Sequence, residues 1–409
     1  MRKSIDLRQI GIFLLIFPFL KPHCLEYLFP HLETLFDMGR LLCVVLIVLL
    51  WVSNQYRMSF PAAVFLFLEI WIVVVTLLRN PERLVASVIN GAALSALVLA
   101  VDYFSQKEPK LLLRALLMNF EWLIWLNFLT VLLFRPEGMY SADEIHAYYF
   151  LGLPNSFMIF VMPACMAALM NLKNGMNRLR SLGLIAAGVL SVFITWSATA
   201  VVGICAMGAI YLLSCRKERP RLLSAFWLAS LAADLAITVF QVTDNVPALR
   251  SAIRKYLHKS PTFSGRASIW KKAVEIIRAE PWLGHGFEKK IALTASADDL
   301  YSHAHNAYLQ YWYIAGVLGI GLFLLLNILV IRRIRQAPPG AYKCAVIAPM
   351  AGLFVIFLTE SCNYPALLML YPLAANLAVL CPREPERETE PPAWAAPHAP
   401  PEGEELTET

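Results

Sequence analysis

Long apolar runs alternate with short polar connections along almost the whole chain. The runs fall near 9–29, 36–53, 61–78, 84–104, 111–134, 150–170, 181–195, 199–214, 222–240, 304–331, 342–359 and 364–381. A membrane-crossing helix needs about 20 predominantly apolar residues, with about 17 as the lower limit. The pattern therefore predicts an all-α polytopic bundle of about twelve spans. Residues 1–240 supply about nine spans and 304–381 about three, with a large loop at 241–303 that contains short helices. The first run follows Met-Arg-Lys like a signal peptide, but no small-residue cleavage site comes after it, so it reads as an uncleaved span. Pro18 and Pro22 are placed to kink or end it. The runs 181–195 and 199–214 are short and meet at Thr-Trp-Ser-Ala-Thr (195–199). They form either two tilted helices at a tight turn or one helix broken inside the bundle. Irregular backbone at that depth must face protein or water.

Composition supports this reading. Of 409 residues, 58% are hydrophobic and 16% charged, against about 25% charged in soluble domains. The net charge of +6 comes from short Lys/Arg clusters between apolar runs, which is an orientation signal and not a nucleic-acid-binding stripe. The stronger clusters recur at every second connection, among them Lys107/Lys110/Arg114, Lys173/Arg178/Arg180 and Arg332/Arg333/Arg335. Placing these in the cytoplasm puts both termini inside and the 135–149, 241–302 and 360–363 loops outside. The tail 382–409, rich in Pro and Glu, is expected to be a disordered cytoplasmic segment. The eight cysteines show no C-x-x-C spacing, so neither a disulfide framework nor a zinc site is indicated.

Candidate chemistry concentrates between Phe263 and Gly319. Residues 264–279 predict an amphipathic helix. Ile269, Trp270, Ala273, Val274, Ile276 and Ile277 lie on one face, with Ser264 as N-cap and Pro281 as stop. Such a helix lies either on the membrane surface or against the bundle. Arg266 falls in its first turn, where free N–H groups and the positive helix end favour an anion. Its guanidinium matches phosphate oxygens, with a surface salt bridge as the competing role. His303 and His305 precede a long apolar helix. Two residues apart, they would not share a helical face, which argues against a metal pair. Either could take a proton from an attacking hydroxyl. His285, between two glycines, reads as part of a turn. Among ionisable residues within the spans, Glu69 and Glu121 are expected to pair with Arg or Trp N–H groups, and Asp102 to be solvated near the cytoplasmic end. Glu360, at the outer end of its helix, is placed near the site as a substrate contact.

Three motifs in this order resemble the O-antigen ligase and O-antigen polymerase superfamily. They are Ser-Gly-Arg-x-x-Ile-Trp (264–270), Pro-x-x-Gly-x-Gly (281–286), and His305-Asn306 followed nine residues later by Gly316 and Gly319. The resemblance implies an all-helical bundle with an outer cavity in the bacterial cytoplasmic membrane. It implies inverting transfer of an undecaprenyl-diphosphate-linked glycan to an acceptor hydroxyl on a glycan, lipid or protein, with no cofactor and no metal. Carried over, Arg266 holds the donor diphosphate and His305 orients or deprotonates the acceptor, with His303 and Asn306 as further substrate contacts. The family often has Ser-Arg at the turn after span seven, where this chain has Ser197-Ala198. Either Arg250, Arg254 or Lys255 in the large loop substitutes for that arginine, with Arg254 taken as substrate-binding, or the phosphate contact rests on Arg266 alone. Some relatives with these motifs are described as bicarbonate carriers, so a small-anion transporter is the alternative expectation.

Overall fold

In a computed structural model of the chain, the described residues are 6–141, 146–216, 220–241, 266–288, 291–292, 300–301, 303–338, 342–361 and 363–381. They form an all-α bundle. Its helices are α1 (Leu7–Ile16), α2 (Cys24–Leu28), α3 (Pro30–Ser53), α4 (Phe60–Arg79), α5 (Leu84–Lys107), α6 (Pro109–Phe134), α7 (Phe157–Lys173), α8 (Arg178–Thr195), α9 (Ala198–Arg216) and α10 (Pro220–Thr238). There follow α11 (Arg266–Ala279), α12 (Ala307–Gln336), α13 (Tyr342–Ile356), α14 (Pro365–Leu368), α15 (Leu370–Ala375) and α16 (Leu377–Leu380). A two-residue antiparallel pair, Ile291–Ala292 with Leu300–Tyr301, lies between α11 and α12.

Among the described residues, nine helices are long and apolar enough to cross a membrane. Three shorter apolar segments, Leu7–Phe19, Lys343–Ile356 and Pro365–Ala375, occupy the remaining expected spans. The first expected span is therefore not continuous. α1 gives way at Pro18 to a 3-10 turn over Phe17–Phe19, and α2 restarts at Cys24, because a proline removes a ladder donor and crowds the preceding turn. The last expected span is likewise divided into three short helices. The pair over 178–216 resolves as two helices. Trp196 takes a left-handed conformation (φ 53°) that ends α8, and Ala198 begins α9.

α12 is the longest element and the one that departs most from its expected form. Thirty residues would span about 45 Å as a straight helix, more than the roughly 30 Å hydrocarbon core. It breaks at Gly316, whose φ of 63° and ψ of −160° are not helical. The Pro-x-x-Gly-x-Gly segment fills the break. His285 N donates to Tyr313 O and Gly286 N to Ile314 O, each at 2.9 Å, while Val317 N donates to Pro281 O at 3.1 Å. Trp71 Nε1 of α4 donates to Ala315 O at 2.9 Å. The carbonyls freed by the break thus all have protein donors, as buried backbone requires. A Cβ on Gly316 would sit 2.1 Å from Trp282 O, and one on Gly284 (φ 83°) 2.6 Å from Gly316 N. His285 lies in this turn, as expected, with its ring 4.7 Å from that of Tyr313.

Two of the intramembrane acids behave differently from expectation. Asp102 is not solvated. It is fully buried at the α4–α5 end, where it accepts from Ser59 N at 2.8 Å, Asn376 Nδ2 at 2.7 Å and the Tyr56 hydroxyl. The chain folds back there, and helix-end donors replace water. Glu121 has its expected partner, Arg180, whose Nε donates at 2.8 Å. Glu69 has none: its buried Oε1 has no hydrogen-bond partner among the described residues, and its carboxyl packs beside Gly91.

Candidate functional site

α11 lies against the bundle and not on a lipid surface. Ile269, Trp270, Ala273 and Ile277 are buried, and the helix packs on α12 and α10. Trp270 Nε1 donates to His305 O at 3.3 Å, which ties the face of α11 to the segment preceding α12. The expected cap Ser264 lies outside the described residues, as do Arg250, Arg254 and Lys255. Arg266 is the first helical residue of α11.

The approach to α12 is not helical. His305 has φ 49°, so the spacing argument that separated the two histidines fails. Their rings lie 4.2 Å apart, centroid to centroid. Asn306 caps α12, its Oδ1 accepting from Leu309 N at 2.9 Å. Its Nδ2 donates to Asp234 Oδ1 of α10 and to Leu358 O. Asn306 is fully buried. In this structure it acts as a helix cap that joins α12 to α10.

Glu360 is the centre of the cluster. Arg266 Nη2 donates to its Oε1 at 2.6 Å, and Asn155 Nδ2 donates to the same oxygen at 2.7 Å. His305 Nδ1 lies 3.5 Å from its Oε2. The Glu360 side chain is 5% exposed and that of Arg266 16%. Burial alone would raise the Glu360 pKa, but the His305 imidazole and the Arg266 guanidinium hold it down at about 2. Both carboxylate oxygens thus have protein partners. Glu360 thereby links Arg266 and His305 through one carboxylate. A surface salt bridge for Arg266 is excluded by the same burial.

His303 completes the wall. Its Nδ1 accepts from His305 N at 3.1 Å, and its Nε2 lies 3.3 Å from the Tyr364 hydroxyl. Burial, reinforced by the neighbouring His305, lowers its pKa to about 4. At neutral pH the ring is uncharged. Because Nδ1 accepts, the proton sits on Nε2 and points to Tyr364. His303, His305 and Glu360 also bring one ligand atom each within 4.8 Å of one another. The chemistry of the donor set does not suit a cation: the Arg266 charge adjoins Glu360, and His303 Nδ1 already accepts a backbone N–H.

Three partners escaped the sequence reading. Asn155, in the 3-10 turn Pro154–Ser156, and Tyr364 carry no local signal beyond a turn residue and an aromatic at a helix start. Asp234 had one: it is an acid inside an apolar run, the feature that drew attention to Glu69, Asp102 and Glu121.

The fold and site define a polytopic helical membrane protein with a buried arginine–carboxylate–imidazole cluster at one end of its bundle. Residues 182–324, about a third of the chain, match the family model described as O-antigen ligase. That segment contains Arg266, His303, His305 and Asn306, while Asn155 and Glu360 lie outside it. No curated protein matches the chain.

Proposed function

We propose that the protein transfers a glycan from an undecaprenyl diphosphate carrier to an acceptor hydroxyl at the outer face of the cytoplasmic membrane. The observation that carries this reading is the sharing of one buried carboxylate, Glu360, by Arg266 and His305. Arg266 has guanidinium donors beyond the one directed at Glu360, and it stands at the N-terminus of α11. Both features suit a diphosphate. Glu360 orients the Nδ1 side of His305, leaving Nε2 to take the proton from the acceptor oxygen as it attacks the anomeric carbon from the face opposite the leaving group. The C–O bond to the diphosphate breaks with inversion, and the leaving anion is stabilised by Arg266. No nucleotide and no metal take part, because the diphosphate link is already activated.

The transport alternative draws on broken helices that offer backbone carbonyls to an ion. At the Gly316 break those carbonyls already accept from His285 N, Gly286 N and Trp71 Nε1, which favours transfer. The test is complementation of a deletion strain with wild type, Arg266→Ala or His305→Ala, followed by gel analysis of lipid-linked and finished glycan. Both variants are expected to insert normally and to yield no finished glycan. Accumulated single repeats would mark a polymerase, and accumulated long lipid-linked chains a ligase. Finished glycan at wild-type levels from both variants would refute the assignment.

A further inference from the structure

Four aromatic rings from two segments far apart in sequence meet beside the site and have no role in the chemistry above. His23 is the N-cap of α2 and Tyr27 lies in its last turn. Tyr140 and Tyr148 come from the loop between α6 and α7, where Met139 N donates to Tyr148 O at 2.7 Å and pins the two tyrosines together. His23 stacks on Tyr27 at 5.4 Å and on Tyr148 at 5.8 Å, and Tyr27 stacks on Tyr140 at 5.6 Å. The Tyr140 hydroxyl lies 2.8 Å from His23 Nδ1. Tyr148 is buried at the back of the stack, whereas Tyr27 is 45% exposed at its front. The stack is thus a braced cluster of rings in which Tyr27 is the most exposed.

Its location is fixed by the chain. His23 packs against Gly152, since a Cβ there would lie 3.2 Å from the His23 side chain. Gly152 is three residues from Asn155, a distance of at most about 11 Å, and Asn155 donates to Glu360. The stack and the Glu360 cluster therefore stand on one end of the bundle, joined by one loop. Polar groups flank the rings. Lys21, two residues before His23, contacts Glu33 at 2.8 Å and Asp37 at 3.3 Å, and Arg40 contacts Asp37 at 3.3 Å. Of these, Glu33, Asp37 and Arg40 lie in the first three turns of α3, a helix largely unburied within the bundle. Open aromatic faces bind the C–H faces of sugar rings, and ionic side chains at the rim bind the hydroxyls.

We propose that the His23–Tyr27–Tyr140–Tyr148 stack is a carbohydrate-binding subsite that holds the glycan chain away from the reacting bond. This rests on the transferase reading, which places a glycan at this end of the bundle. The competing occupant is the membrane interface, where tyrosines gather as anchors. Anchors are spread around a girdle, whereas these rings are stacked on one another next to the site.

The test uses purified protein in nanodiscs. The probe is surface polysaccharide freed from its lipid by mild acid, so that no diphosphate is present. Saturable binding to wild type is expected. Tyr27→Leu keeps the apolar surface but removes the ring, and should weaken binding about five- to tenfold. Tyr27→Trp keeps an aromatic face and should bind like wild type. Arg266→Ala should also bind the lipid-free probe normally while failing in transfer, which separates this proposal from the transferase reading. The subsite is refuted if wild type shows no saturable binding, or if Tyr27→Leu binds like wild type. An unchanged affinity with a lower yield of folded Tyr27→Leu would identify a membrane anchor instead.

Discussion

Glu360→Ala is expected to lower glycan transfer by about a hundredfold or more, and Glu360→Gln to do nearly the same with a better-folded protein. The carboxylate has two distinct tasks. It balances the Arg266 charge in a buried setting and it orients the His305 imidazole. Removing it leaves a guanidinium without its counter-charge, and breaking a buried pair in this way costs about 3–5 kcal/mol. It also frees His305 to rotate, and loss of a positioned base is worth about 10²–10⁴ in rate. Glutamine preserves the volume and an acceptor oxygen for Arg266 and Asn155, so folding should survive. It replaces the charged partner of His305 with a neutral amide, so the rate should not. The measurement is initial rate per folded molecule, with folded protein quantified by size-exclusion chromatography in detergent. A Glu360→Gln enzyme with wild-type rate would mean that the carboxylate is only a brace.

The second large effect is on the fold. Gly316→Ala should destabilise the protein by about 3 kcal/mol or more. The position combines φ 63° with contact to the Trp282 carbonyl, which leaves no room for a methyl group. To accept it, the 281–287 segment must leave the break in α12, and the hydrogen bonds from His285, Gly286 and Val317 go with it. The segment joins α11 to α12, so its release also loosens Arg266 from the histidines. Thermal unfolding in micelles should show a lower midpoint for Gly316→Ala, with activity lost in parallel. An unchanged midpoint would show that the break is not a fixed feature. Gly321, where a Cβ meets nothing within 4 Å, is the control position: Gly321→Ala should be close to neutral.

The helical class and nearly all the spans were legible from apolar run length, because a bilayer tolerates no other backbone solution at that length. So was the amphipathic face of α11, where Ile269, Trp270, Ala273 and Ile277 are the buried residues. What periodicity cannot convey is backbone that leaves the helix. The reading of His303 and His305 assumed a helical relation. The αL conformation of His305 overturns it. The same holds for Gly316, where a long apolar run conceals a break whose partner lies about thirty residues earlier. Long-range polar pairing was equally hidden. Nothing near Asp102 announces Asn376, and nothing near Glu360 announces Asn155. Asn306 illustrates the limit of a motif: its presence was evident, but its use as the cap of α12 and the partner of Asp234 is a property of the packed structure.

The most direct measurement of the central assignment is transfer by the purified protein. Lipid-linked glycan extracted from a deletion strain would be supplied in proteoliposomes with acceptor from the same cells, and product and released undecaprenyl diphosphate would be followed together. Wild type should convert donor to product with release of the diphosphate in equal amount, and Arg266→Ala and His305→Ala should do neither. Stoichiometric transfer by both variants at the wild-type rate, or none by wild type with intact donor and acceptor, would contradict the assignment of the Arg266–Glu360–His305 cluster as the site of glycan transfer.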